Sequence, residues 1–193
     1  MTRARDVSSR GGLTQIIPTS VTVSSGSASV AANGAITFGT AANLTLDGIF
    51  SSSYRHYRLL FSGLSSSNVS MNFVYRYLLS GTPTDYTSSH YYTQKLYSGS
   101  TTTTSVRVSA AANGTLPDVG VDQSVSSTDF YTPNISGQYA CHTSQGTYVP
   151  SVGGIEYDNF GGLCATGTQM TGIKFSGAMN YTGTIHIYGY NNG

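Results

Sequence analysis

Between residues 69 and 77 the apolar side chains fall on every second position: Val69, Met71, Phe73, Tyr75 and Tyr77 share one face, while Asn72 and Arg76 lie on the other. Period two marks a strand that buries one face, and it sets the fold class. The chain closes on the same pattern, with Ile185 and Ile187 facing one way and Thr184, His186 and Tyr188 the other. Nowhere does a helical stripe run beyond about two turns.

Turn residues cut the chain into short pieces. Asn33-Gly34 separates residues 27–31 from 35–39, and the pair suits the positive φ angles of a type I′ hairpin turn. Further strands are expected over 44–50, 57–64, 69–79, 91–97, 106–109, 127–131, 138–142, 155–159, 170–176 and 182–190. Gly81-Thr82-Pro83 reads as a break, Asn113-Gly114 as a turn, and 101–104 as a solvated loop or edge. Roughly ten to twelve such strands predict an all-β, antiparallel, jelly-roll-like β-sandwich over residues 21–193.

Residues 1–20 read as a separate N-terminal arm. Arg3, Arg5 and Arg10 are three of the nine basic side chains, set against the single acid Asp6, and Thr2 suits the cap of one helical turn through Ser9. No apolar run follows these basic residues, so the expectation is a chain made in a cytoplasm and not exported by the general route. Only 9% of residues are charged, against about 25% in ordinary soluble domains. Such a surface, built of hydroxyls, amides and phenols, suits the outside of a cell. A virus particle released by lysis reconciles the two expectations. The formal net charge of +1 argues against nucleic acid and anionic membrane as partners, and no stretch approaches the ~20 apolar residues of a membrane-spanning helix.

Chemistry is sparse. The sequence contains no glycine-rich phosphate loop, HExxH or GxSxG motif, and the neighbours Cys141 and His142 would point to opposite faces of a strand. Cys141 and Cys164 fit no zinc spacing and are expected as free thiols. Asp118, Asp122 and Asp129 lack the ligand density of a calcium loop and read as turn acids, so neither metal nor cofactor is expected. His56, His90, His142 and His186 share no ligand spacing and read as strand-surface or interface residues. Glu156 and Asp158, at i and i+2, are the one carboxylate pair that glycan hydrolysis could use; the plainer reading is a solvated strand face. What remains is binding. Tyr86, His90, Tyr91, Tyr92, Gln94 and Tyr97 form a stretch with the composition of an adaptable recognition surface, in which about half the tyrosines are expected to fill core.

Residues 46–54 (LDGIFSSSY), 57–61 (YRLLF) and 183–190 (GTIHIYGY) resemble virion proteins of tailed bacteriophages, especially marine and cyanobacterial ones of the tail-fibre or structural type, and 2–7 (TRARDV) is similar to their N-terminal segment. The resemblance implies a β-rich, commonly trimeric structural protein attached by its N-terminus, with no catalytic residues to transfer. The expected protein is therefore a non-enzymatic part of a virion. Arg3, Arg5, Asp6, Val7 and Arg10 would dock it to capsid, neck or tail proteins, and the β-domain would face outward to a host glycan or protein. A homotrimer would cover its charge-poor strand edges. A head decoration or cement protein is the structural alternative, and a glycan hydrolase built on Glu156 and Asp158 the enzymatic one.

Overall fold

The computed structural model describes residues 12–99, 102–150 and 154–191. The docking residues Arg3, Arg5, Asp6, Val7 and Arg10 lie outside them. No helix occurs among the described residues, which form β1 (Leu13–Gln15), β2 (Ser20–Val23), β3 (Ser27–Val30), β4 (Ile36–Asp47), β5 (His56–Ser65), β6 (Val69–Leu79), β7 (Thr82–Asp85), β8 (Tyr91–Gly99), β9 (Thr102–Ala111), β10 (Gly114–Val119), β11 (Ser124–Tyr131), β12 (Ala140–Tyr148), β13 (Glu156–Cys164) and β14 (Met170–Tyr190). Every pairing is antiparallel. The expected all-β, sandwich-like fold is what the chain adopts.

Its two layers are limbs of one curled sheet. The 21-residue β14 runs beside β4 from Ile173↔Leu46 to Ile185↔Ile36, and β4 carries β2 and β3 on its far edge. On the opposite edge β14 divides its partners: residues 170–176 pair with β6 and residues 181–189 with β5. The register shifts between Ser176 and Tyr181, so the sheet forks there. One limb continues through β6 to β10 and β7, the other through β5, β11, β12, β13, β8 and β9. The limbs close over a common core, with β10 packed across β12 and β13.

The alternation at 69–77 does what it promised. Met71, Phe73 and Tyr75 are buried, and Phe73 meets Tyr75, Tyr91, Phe130 and His142 edge-on, with ring centroids 5.2, 6.0, 5.9 and 5.2 Å away. Such edge-to-face contacts add about 0.5–1.5 kcal/mol each beyond area burial. His142 thus belongs to the core, contrary to the expectation of a surface or interface histidine.

The type I′ turn sits elsewhere than expected. At the first hairpin only Gly34 has positive φ (77°), the Gly34 N–H donates to Ala31 O at 2.8 Å, and Asn33 Oδ1 accepts the Ala35 N–H at 3.1 Å. That is a type I turn ending on a left-handed glycine. Positive φ at both central residues occurs instead at Ser80 (52°) and Gly81 (85°), between the paired Leu79 and Thr82. The chain therefore turns back as β7 where a break was expected, and Pro83 is tolerated because β7 lies on an edge. Leu13–Gln15, assigned above to the arm, pairs with the end of β14.

The loop after β4 is pinned by one phenol. Buried Tyr57 donates its hydroxyl hydrogen to Ser51 O at 2.6 Å and accepts the Ser51 N–H at 2.8 Å, while the Asn134 amide donates to the same carbonyl. Tyr57→Phe leaves a backbone donor without its partner and should cost about 2 kcal/mol in urea denaturation, with the native fold retained. A loss below about 0.5 kcal/mol would show that the loop is held by its other contacts.

Candidate functional site

Strand parity sorts the tyrosine-rich stretch. On β8 the odd positions Tyr91, Thr93, Lys95 and Tyr97 face inward, and Tyr92, Gln94 and Leu96 face out. Tyr91 is 1% exposed; its hydroxyl donates to Tyr86 O at 2.9 Å and accepts the Tyr75 N–H at 2.8 Å. It is a core residue, not part of a recognition surface. Tyr86 and exposed His90 pair through Oη and Nδ1 at 2.8 Å, before β8 begins. Half-buried Tyr92 and exposed Gln94 line a shallow depression on the outer face with Arg107 and Gly161. The six residues therefore occupy different places, and Tyr97 alone of them reaches the cleft around Lys95 and Asp118.

That cleft, with a volume of about 440 Å³, opens between two walls. Ser70 and Asn72 of β6 with Thr115 and Asp118 of β10 make one; Lys95 and Tyr97 of β8, Val106 and Val108 of β9 and Phe160 of β13 make the other. Lys95 Nζ lies 2.7 Å from Asp118 Oδ2 and 3.4 Å from Asp158 Oδ1, the second an ion-pair separation that forms no hydrogen bond. The same ammonium sits 4.7 Å from the Tyr97 ring centroid and 5.0 Å from that of Phe160. Asp118 Oδ1 accepts the Ser70 hydroxyl at 2.5 Å, and the Asp118 N–H donates to Asp158 Oδ2 at 2.8 Å. Each charged head is thus held from at least two directions, which fixes the wall before any ligand arrives.

Glu156 and Asp158 do not form a solvated face. They share the inward side of β13 with Phe160, and the Asp158 side chain is 1% exposed. Burial pushes its carboxyl above the usual carboxylate range, aided by the Asp118 charge and opposed by the Asp118 N–H and Lys95. Glu156 accepts the Tyr148 hydroxyl, and burial followed by that carboxylate raises the phenol's pKa. Both acids are thereby committed to protein groups. Of the acids weighed for calcium, Asp118 is taken by Lys95, Asp122 is exposed, and Asp129 receives Arg58 Nε and Nη2 at 2.8 and 2.7 Å and the Tyr190 hydroxyl at 2.8 Å. Burial opposes this, yet the Arg58 and Tyr190 hydrogen bonds still hold the Asp129 carboxyl below its ordinary pKa.

Cys141 and Cys164 are free thiols, the first half-buried and the second buried, and burial pushes Cys164 up to about 12. Against the cleft stand the known proteins, and here comparison is silent: no protein-family model, curated protein or solved structure matches the chain.

Proposed function

We propose that the chain is a non-enzymatic recognition module of a virus particle, which holds a neutral saccharide of the host surface in the cleft between β6–β10 and β8–β9. The observation that carries this reading is the cleft wall itself. Ion-paired Lys95 and Asp118 are fixed beside Tyr97 and Phe160, with Asn72, Thr93 and Thr115 around them. Convergent hydroxyl, amide and charged groups beside aromatic rings are how a concave site reads a polyol. One ammonium faces Asp118 and Asp158, with Glu156 behind Tyr148, so negative charge is in excess and anionic sugars are disfavoured. A surface with 9% charged residues and the resemblance to phage virion proteins support the particle as its setting.

Purified full-length protein should retain neutral oligosaccharides on a glycan array and pass over sialylated and sulfated ones. Tyr97→Ala and Asn72→Ala should each weaken retention at least roughly tenfold, the loss of about 1.4 kcal/mol of contact. Binding that survives both substitutions would place the site elsewhere. Preferential capture of anionic glycans would refute the electrostatic reading.

A further inference from the structure

Two acids and two aromatic rings converge on Lys95, and the contacts there are those of an amine set against an acyl group. Its Nζ lies 2.7 Å from Asp118 Oδ2 and 3.4 Å from Asp158 Oδ1. Asp158 Oδ1 is buried and makes no hydrogen bond among the described residues. The Ser70 hydroxyl donates to the other Asp118 oxygen, Oδ1, at 2.5 Å. Tyr97 and Phe160 flank the ammonium, and the Lys95 and Asp118 side chains are only 15% and 16% exposed. Lys174, the one other lysine of the sequence, gives the contrast. It lies 2.7 Å from Asp85, but its side chain is 29% exposed, Arg76 shares the same carboxylate, and no second acid stands within ion-pair reach of it among the described residues.

We infer that Lys95 and Asp118 condense to an intramolecular amide, with Asp158 relaying the proton, so that β8 and β10 become covalently joined. Amide formation needs the uncharged pair, an amine and a carboxylic acid, and burial beside aromatic rings favours uncharged forms. Proton transfer from Nζ to Asp118 Oδ2 gives that pair. The Nζ lone pair then attacks Asp118 Cγ and the C–N bond forms, while the Ser70 hydroxyl steadies the negative charge that develops on Oδ1. Asp158 gives its carboxyl proton to the departing Oδ2 and takes one from Nζ; the bond from Cγ to Oδ2 breaks, one water leaves, and Asp158 ends as it began. Burial raises the Asp158 carboxyl above the usual carboxylate range, which suits a group that must hold a proton before giving it up. The new amide also offers Asp158 Oδ1 the hydrogen-bond partner it lacks. The chain is its own and only substrate, and condensation consumes one charge of each sign, so the cleft keeps its net charge. The ion pair is the state of the freshly folded chain, against which substitutions of Lys95 are compared. In the sheet, β10 ends one limb and β8 lies one strand from the end of the other, with no backbone pairing between them. A bond between residues 23 apart in sequence would clip these limbs together and withdraw freedom from the unfolded chain as a disulfide does, a service the two free thiols do not perform.

Intact-mass spectrometry of the full-length protein, denatured after storage at neutral pH, should find it one water lighter than its sequence mass. A tryptic digest should then yield segment 77–107, uncut after Lys95, joined to segment 108–174, which carries Asp118. Lys95→Arg keeps the charge but offers no amine to acylate, and should stay at its sequence mass. Asp158→Asn cannot relay a proton and should slow the condensation roughly a hundredfold or more, with a cooperative urea transition showing that each variant is folded. Wild-type protein at its full sequence mass would overturn the inference, and so would a water lost equally from Lys95→Arg. An unchanged rate in Asp158→Asn would overturn the part given to Asp158. The peptide map is read on the wild-type chain, so it decides the bond whether or not a variant folds.

Discussion

Replacing Lys95 by methionine should destabilise the protein by about 3–5 kcal/mol at neutral pH, the cost of leaving buried acids without their counter-charge. The residue volume is kept and the aromatic neighbours Tyr97 and Phe160 lose little packing, so the loss isolates the ammonium. What remains is Asp158, 1% exposed, beside Asp118, with only the Asp118 N–H and the Ser70 hydroxyl facing them. The pH dependence identifies the mechanism. A carboxyl whose folded pKa lies above its unfolded value stabilises the fold when protonated, and that contribution is lost as pH rises through the folded pKa. Burial already raises Asp158 in the native protein, and removing Lys95 takes away one of the groups opposing the rise. The deficit of Lys95→Met should therefore shrink as pH is lowered from 7 toward 5. Adding Asp158→Asn should recover most of it at pH 7, because an amide oxygen still accepts the Asp118 N–H. Urea denaturation of the three variants across pH tests this, and a loss below about 1 kcal/mol for Lys95→Met would show the cluster to be effectively solvated.

The inward setting of those acids was legible in the sequence. Glu156 and Asp158 alternate with exposed Tyr157 and Asn159 and share parity with Phe160, and an aromatic on that face marks it as the buried one. An acid on a buried face must find a cation. Nothing local named Lys95 or Asp118, however, because β8, β10 and β13 come from separate parts of the chain and meet only when the limbs close. The tyrosine stretch failed for the complementary reason: read as composition it was one surface, whereas parity divides Tyr91 and Tyr97 from Tyr92 and Gln94.

Strand existence was legible where the alternation is strong, while β2, β7 and β10 drew no expectation. β6 follows its alternation from Val69 to Tyr77, with inward Met71, Phe73 and Tyr75 buried. The segments expected over 170–176 and 182–190 are one strand, since the stretch between them lacks the apolar rhythm yet remains paired through its flanks. The fork at β14 has no local signature. It depends on β5 and β6 competing for one edge of the same strand, a matter of tertiary pairing.

His142 should make the fold lose stability as pH falls from 6.5 toward 4. It is 2% exposed between Phe73 and Phe130, neither ring nitrogen makes a hydrogen bond among the described residues, and burial lowers its pKa to about 4 against a weak opposing effect of the Thr115 backbone. Gly162 belongs to the same arrangement, because a Cβ there would stand 2.4 Å from the His142 ring. The unfolded chain takes up its proton near pH 6.5 and the folded chain near 4, so the unfolded state binds more protons between those values. The stabilisation is complete above pH 6.5 and is lost progressively as pH falls toward 4, by about 3 kcal/mol in all. His142→Leu keeps the position apolar, cannot take up a proton, and should flatten the stability profile in that window while leaving the pH 7.5 value within about 1.5 kcal/mol of wild type. An equal decline in the variant would show that His142 does not carry the acid sensitivity between pH 6.5 and 4. Since Phe73 touches this histidine and lies on the β6 face opposite Ser70 and Asn72, protonation would loosen the wall that carries the cleft. Loss of the proposed saccharide binding and loss of core order should therefore share one midpoint.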